Sequence, residues 1–129
     1  MEESSRSPWR LLIVDDDEGV REGLARALAR HGGYQVATAA DGFEAGYRFA
    51  AIRPHLVILD IVMPGMGGFD VCQRLRELAG EGEIKILVLT GYPGNSSGER
   101  SLVSGADLFL TKPQDIHSLV MHIDDLLGE

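Results

Sequence analysis

Cysteine and positive charge are both scarce in this sequence of 129 residues. Cys72 is the single cysteine, so no disulfide can form within the chain, which favours a reducing compartment. Lysine and arginine number 12 against 20 aspartate and glutamate residues, giving a formal net charge of −8. This acidic balance argues against direct nucleic-acid binding, which requires basic patches on the protein surface.

Long apolar runs and nucleotide-binding motifs are also missing. No stretch approaches the roughly 18 consecutive apolar residues of a membrane-spanning helix, and the polar start MEESSRSPWR has no apolar signal core. No Gly-x-x-x-x-Gly-Lys-[Ser/Thr] motif occurs, which argues against a P-loop. We therefore expect a cytoplasmic protein that does not insert into membranes.

Five short apolar runs alternate with segments that are long enough for a helix. Residues 9–129 are expected to form one domain, preceded by a flexible segment of residues 1–8. The runs predict strands over residues 11–14, 34–39, 56–59, 84–89 and 108–110. Helical spacing of apolar residues predicts helices over residues 18–30, 42–52, 69–78 and 116–127. This alternation is typical of an α/β fold with a parallel sheet.

Two of the helical segments have weaker sequence patterns. The helix over 42–52 depends on Phe43, Ala45, Tyr47, Phe49 and Ala50, which are irregularly spaced for one apolar face. A further helix within residues 93–104 is expected to be short and frayed, because glycine, serine and asparagine dominate that segment.

Polar residues directly follow four of the predicted strands. Asp15 and Asp16 follow the first strand, Asp60 the third and Thr90 the fourth, and Lys112 comes just after the fifth. Because ligands of open parallel sheets bind at the carboxyl ends of the strands, we expect these side chains to gather at one edge.

The chemistry of this cluster favours a cation and a phosphoryl group. Neighbouring carboxylates repel one another, and a proton or a cation relieves the repulsion. Oxygen ligands suit Mg²⁺, whereas the lack of cysteine and histidine at this edge argues against zinc. Lys112 and Thr90 could surround the oxygens of a phosphoryl group in transfer. An aspartate in such a place can itself be the nucleophile.

Four motifs, LLIVDDD, LVILDIVMPGMGG, ILVLTG and LFLTKP, together resemble the receiver domain of two-component response regulators over about residues 9–127. The resemblance implies a doubly wound, five-stranded parallel sheet of order 2-1-3-4-5 with helices on both faces. It also implies Mg²⁺-dependent phosphotransfer from a histidine kinase or a histidine phosphotransfer protein. Such a domain catalyses only its own phosphorylation and dephosphorylation, and in that sense is not an enzyme.

The resemblance assigns a role to each matching residue of the acidic site. Asp60 matches the phosphoacceptor and is one of the metal ligands. Asp16 matches the direct Mg²⁺ ligand and Asp15 the ligand that acts largely through water, while Val62 would supply a backbone carbonyl. Read without the resemblance, these aspartates could equally be helix caps. Asp17 is expected to cap the first helix and not to bind metal.

The resemblance also implies a switch that links the site to a partner-binding face. Thr90 matches the switch hydroxyl, Lys112 the phosphate-binding lysine and Pro113 the proline of a cis Lys-Pro bond. Phe109 matches the aromatic switch position, although a phenylalanine in an apolar strand is more often core. The face formed by the segment 93–104, the last strand and the last helix would bind a downstream partner, an output domain or a second copy on phosphorylation.

Two other functions compete with this interpretation. One is a protein-interaction domain of the same fold that works without phosphorylation. The other is a hydrolase that forms an aspartyl phosphate, which usually has a second aspartate two residues after the nucleophile. Val62 stands at that position, and its apolar side chain argues against the hydrolase.

Overall fold

The computed structural model describes residues 9–60, 68–80, 84–91, 105–112 and 114–128. These residues form five strands and four helices. They are β1 (Arg10–Val14), α1 (Glu18–Gly32), β2 (Gln35–Ala39), α2 (Gly42–Ile52), β3 (Leu56–Leu59), α3 (Gly68–Ala79), β4 (Lys85–Thr90), β5 (Leu108–Thr111) and α4 (Ile116–Leu127). None of the helices in the described part of the chain is both long and apolar enough to cross a membrane.

The strands form one sheet in the order β2-β1-β3-β4-β5, and every neighbouring pair is parallel. Val14 at the end of β1 pairs with Ala39 of β2 and Leu59 of β3. The carboxyl ends of the three strands therefore lie side by side, as the sequence predicts. The fold class and the strand order are both confirmed.

Helices cover both faces of this sheet. Leu12 and Val14 of β1 face a core that includes residues of α2 and α3, whereas Leu11 and Ile13 face a core that includes residues of α1 and α4. The central strands are buried on both sides, which explains their unbroken apolar sequences. Cys72 lies in the first core, and burial raises the pKa of its thiol to about 11, so the thiol stays protonated at neutral pH.

The predicted helix limits agree closely with the structure. α2 and α4 have the predicted bounds, α1 ends at Gly32 and α3 is one residue longer at each end. Gly33 caps α1 with a φ of 71°, and Arg53 caps α2 with a φ of 52° before Pro54. The predicted helix within 93–104 and the predicted flexible segment 1–8 lie outside the described residues.

Three of the five apolar residues in the pattern that predicts α2 are exposed. Only Ala45 and Phe49 of this helix are buried. Phe43 is 89% exposed and Tyr47 is 71% exposed. The two aromatic side chains lie one turn apart and project into solvent, because the positions that face the sheet are those of Ala45 and Phe49.

Alanine at Gly32 and at Gly23 is expected to have opposite effects on stability. A Cβ atom at Gly32 would lie 2.0 Å from Cε2 of Tyr34. That ring is buried, and its hydroxyl donates to Asp124 Oδ1 at 2.6 Å. We expect Gly32→Ala to lower the free energy of unfolding by about 1–3 kcal/mol, a typical cost of overpacking.

Gly23 is the matched control in the same helix. A Cβ atom there meets nothing within 4 Å, so Gly23→Ala is expected to raise the free energy of unfolding by roughly 0.5–1 kcal/mol. Urea unfolding followed by circular dichroism measures both changes. Equal shifts of the midpoint for the two variants would contradict the close approach of Gly32 to Tyr34.

Candidate functional site

At the carboxyl edge of the sheet, backbone hydrogen bonds fix the positions of three predicted site residues. The N–H of Asp15 donates to the carbonyl of Ala39 at 3.1 Å, and the N–H of Asp60 donates to the carbonyl of Val14 at 3.0 Å. The N–H of Lys112 donates to the carbonyl of Thr90 at 2.8 Å. The backbone hydrogen bonds of the sheet therefore continue one residue past β1, β3 and β5. They fix the backbone positions of Asp15, Asp60 and Lys112.

Lys112 joins two of the three carboxylates in this cluster. Its Nζ lies 2.8 Å from Asp15 Oδ2 and 3.2 Å from Asp60 Oδ2. Asp15 and Asp60 are 4% and 8% exposed, whereas Asp16 is exposed. One ammonium thus faces three carboxylates, two of them buried. The site keeps an excess of negative charge that a cation can neutralise.

The charge of Lys112 is secured by its two partners. Burial by itself would lower the pKa of the ammonium, but the hydrogen bond to Asp15 and the negative charges of Asp15 and Asp60 outweigh it and raise the pKa. The ammonium therefore stays charged at neutral pH and can bind an anionic group beside Asp60.

Thr90 completes an open cleft at this edge. Its side chain is fully buried at the end of β4. The cleft has a volume of about 260 Å³, and its lining includes Asp15, Asp16, Asp60, Thr90, Gly91 and Lys112. The structure thus brings together five of the side chains that the sequence predicts for the site, in a space that admits a small anionic group.

Asp17 and Arg21 position the loop between β1 and α1. The Asp17 carboxylate accepts from the N–H of Val20, so Asp17 is the N-cap of α1, as predicted. The N–H of Asp17 donates to Asp15 Oδ1 at 2.9 Å. The Arg21 guanidinium donates to the carbonyl of Asp15 at 2.9 Å. Arg21 is a site residue that the sequence did not predict, because its partner is a backbone carbonyl; its one signal is a positive charge early in α1, where the helix dipole disfavours cations.

The three carboxylates can hold a divalent cation. One oxygen from each of Asp15, Asp16 and Asp60 lies within 4.8 Å of the others. Mg²⁺ binds oxygen ligands at about 2.1 Å in octahedral geometry, so adjacent ligands lie roughly 3 Å apart. The three carboxylates would have to close around the ion, and they would leave positions open for water and a phosphoryl oxygen.

The remaining predicted site residues are Val62, Pro113 and Phe109. Val62, the predicted carbonyl ligand, and Pro113, the predicted cis proline, lie outside the described residues. Phe109 is partly buried and packs against the core that contains α2 and α3 residues, while Leu108 and Leu110 pack against the opposite core. The alternation of β5 therefore places Phe109 on the opposite face of the sheet from α4.

Comparison with known sequences gives a consistent result. The family model described as response regulator receiver domain matches residues 11–124. Response regulator MprA of Mycolicibacterium vanbaalenii is 42% identical over 120 residues, which cover 93% of this chain and 51% of that protein. Response regulator MprA of Mycobacterium avium is 41% identical over 118 residues, which cover 92% of this chain and 50% of that protein. The chain thus spans about half the length of these curated relatives.

Solved structures match over nearly the whole chain. A CheY-like response regulator receiver domain protein from Methanospirillum hungatei superposes with a TM-score of 0.87 at 30% identity, covering 95% of each chain. Chemotaxis protein CheY4 of Vibrio cholerae superposes with a TM-score of 0.85 at 29% identity, covering 93% of this chain and 99% of that one. With the sheet order and the acidic cleft described above, these matches show that the chain belongs to the response regulator receiver domain family.

Proposed function

We propose that this chain is the phosphoacceptor domain of a two-component system, in which Asp60 receives a phosphoryl group from a histidine kinase or a histidine phosphotransfer protein. The observation that carries the proposal is the position of Asp60. Asp60 is 8% exposed and lines the cleft, with Lys112 Nζ 3.2 Å from its Oδ2 and two further aspartates beside it. This arrangement supports a nucleophile flanked by a cation site and a phosphate-binding ammonium.

The transfer is a displacement at phosphorus. An Asp60 carboxylate oxygen attacks the phosphorus of a phosphohistidine, a new O–P bond forms, and the P–N bond breaks. The imidazole leaves with the electron pair of that bond and takes up a proton. As the phosphoryl group moves to Asp60, Lys112 keeps its ammonium against the phosphoryl oxygens, where a fixed positive charge stabilises the transition state.

Asp15, Asp16 and Asp60 would hold Mg²⁺, with the carbonyl of Val62 as a further ligand. The ion supplies positive charge to the phosphoryl oxygens and offsets the repulsion between the carboxylates. Arg21 donates to the carbonyl of Asp15, and the N–H of Asp17 donates to Asp15 Oδ1. These two hydrogen bonds hold Asp15 in place. This chain thereby keeps the ligands in place before the ion and the donor arrive.

The output side of the proposal involves Thr90, Phe109 and Pro113. The buried Thr90 hydroxyl lies at the end of β4 beside the cleft, so it can move toward a phosphoryl group on Asp60. Phe109 on the neighbouring β5 would then turn further into the core, and the face of residues 93–104, β5 and α4 would change its binding to a downstream partner or output domain. A cytoplasmic location fits this role.

Intact-mass measurement after incubation with acetyl phosphate and Mg²⁺ tests the proposal. We expect one added phosphoryl group on the wild type and on Asp125→Asn, an exposed control on α4, and none on Asp60→Asn. Excess EDTA should abolish the adduct on the wild type. If a folded wild type gives no adduct with acetyl phosphate, phosphoramidate or a phosphorylated histidine phosphotransfer protein, the phosphoacceptor role is wrong and a phosphorylation-independent interaction domain is favoured.

A further inference from the structure

The outer surface of α2 and α3 carries an apolar groove that the phosphoacceptor site does not use. The groove has a volume of about 750 Å³, and its lining includes Gly42, Gly46 and Ala50 of α2 and Val71, Leu75 and Leu78 of α3. A Cβ atom at Gly46 would meet nothing within 4 Å. The groove is therefore open at Gly46, where α2 has no side chain.

Large apolar side chains stand beside this groove and have no place in the core. Phe43 and Tyr47 line its α2 side and are 89% and 71% exposed, and Leu78 on the α3 side is 51% exposed. Single exposed apolar residues are ordinary, but a contiguous apolar patch marks an interaction surface. The same face thus offers protruding aromatic rings beside an open apolar depression.

Three exposed charged residues of α3 line the groove, namely Asp70, Arg74 and Glu77. Asp70 and Arg74 have opposite charges and lie one turn apart, so they can pair with a second copy of the chain that runs antiparallel. Phe43 and Tyr47 have the same spacing on α2. Both helices follow strands of a parallel sheet and begin at its carboxyl edge, so they run in the same direction.

We propose that the α2–α3 face, defined as the groove together with Phe43, Tyr47, Asp70 and Arg74, is a homodimer interface with two-fold symmetry. The two-fold axis lies in the plane of the interface, perpendicular to both helices and level with the middle of each pair. It places α2 antiparallel to α2 of the copy, and α3 antiparallel to α3 of the copy. Asp70 of one copy then faces Arg74 of the other, and Phe43 faces Tyr47. Each residue of a two-fold interface is used twice in this way.

The exposed area indicates a weak dimer. An aromatic side chain contributes about 150–250 Å² when it is fully covered, so Phe43 and Tyr47 supply roughly 300 Å² per copy. A standard stable interface needs about 800 Å² per partner. The resulting total of roughly 600 Å² lies below the range of standard stable interfaces. The dimer is therefore expected to form at high chain concentration, without phosphorylation.

Sedimentation equilibrium of the full chain over micromolar to millimolar concentration measures this dimer. Tyr47→Ala is expected to raise the dissociation constant by about tenfold, as for an interface aromatic. Met121→Ala is the matched control, because Met121 is 71% exposed on α4, at the opposite face of the sheet. A wild type that is monomeric at every concentration overturns the proposal and leaves the groove to a helix of another protein.

Charge reversal tests the two-fold pairing itself. Asp70→Arg places arginine against Arg74 of the copy, and Arg74→Asp places aspartate against Asp70 of the copy, so each variant alone should be monomeric. An equimolar mixture of the two variants should form a heterodimer, because arginine then faces aspartate at both positions. An attraction within one helix cannot produce this result. If the mixture associates no better than the separate variants, the pairing is wrong.

Discussion

Replacing Lys112 with methionine is expected to slow the phosphorylation of Asp60 by acetyl phosphate by roughly 10²–10³-fold, the usual cost of losing one preorganised charge from a transition state. Methionine keeps an unbranched apolar stem and removes only the ammonium. That ammonium lies 2.8 Å from Asp15 Oδ2 and 3.2 Å from Asp60 Oδ2. Without it, three carboxylates would meet an incoming phosphoryl group with no fixed positive charge from the side chains of the cleft described here.

Lys85→Met is the matched control for this experiment, because Lys85 begins β4 at the opposite edge of the sheet. The two lysines are the only ones in the sequence. The rate of adduct formation, followed by intact mass at saturating Mg²⁺, should fall for Lys112→Met and stay unchanged for Lys85→Met. Equal rates for Lys112→Met and wild type would show that the ammonium does not assist the transfer.

The same substitution separates the effect on transfer from the effect on metal binding. Lys112 competes with a cation for Asp15 and Asp60, so its removal should tighten the binding of Mg²⁺, measured by calorimetry. A slower transfer together with tighter Mg²⁺ binding would point to loss of phosphoryl stabilisation. A slower transfer together with weaker Mg²⁺ binding would instead indicate that the loop of Asp15 had lost its shape.

The site was predictable because its residues stand at strand ends. A parallel sheet aligns the carboxyl ends of its strands, so Asp15, Asp60 and Thr90 had to meet once the apolar runs were taken as strands. The N-cap role of Asp17 also follows from local sequence, since the capping hydrogen bond spans only three residues. Predictions of this kind need no knowledge of which helix packs where.

Features that depend on tertiary packing were not accessible from the sequence. Phe43 and Tyr47 are of residue types that are common in protein cores. Their exposure is decided by which face of α2 packs against the sheet. Arg76 is a second case, because its partners Gly105 and Asp107 are 29 and 31 residues away. In the sequence, Arg76 is one of several charged residues on α3, with nothing to distinguish it from an exposed arginine.

Arg76→Met is expected to lower the free energy of unfolding by about 1–3 kcal/mol, because two partly buried carbonyls and the exposed carboxylate of Asp107 would lose their donor. The guanidinium donates to the carbonyl of Ile84 at 2.8 Å, to the carbonyl of Gly105 at 2.7 Å and to Asp107 Oδ2 at 2.7 Å. The same Asp107 oxygen accepts from the N–H of Ile86 at 2.8 Å. One side chain of α3 thus ties together the entries to β4 and β5.

The comparison that isolates this role uses an exposed arginine and a double mutant. Arg26→Met on α1 should change the free energy of unfolding by less than about 0.5 kcal/mol, as is usual at the surface. Asp107→Asn keeps an acceptor but removes the charge, so Arg76→Met should cost less in its presence than in the wild type. Urea unfolding at low chain concentration measures the wild type, the three single variants and the double mutant. Additive losses would mean that Arg76 stabilises the chain only through its two carbonyl contacts, whereas a positive coupling would assign part of the stability at the amino ends of β4 and β5 to the ion pair with Asp107.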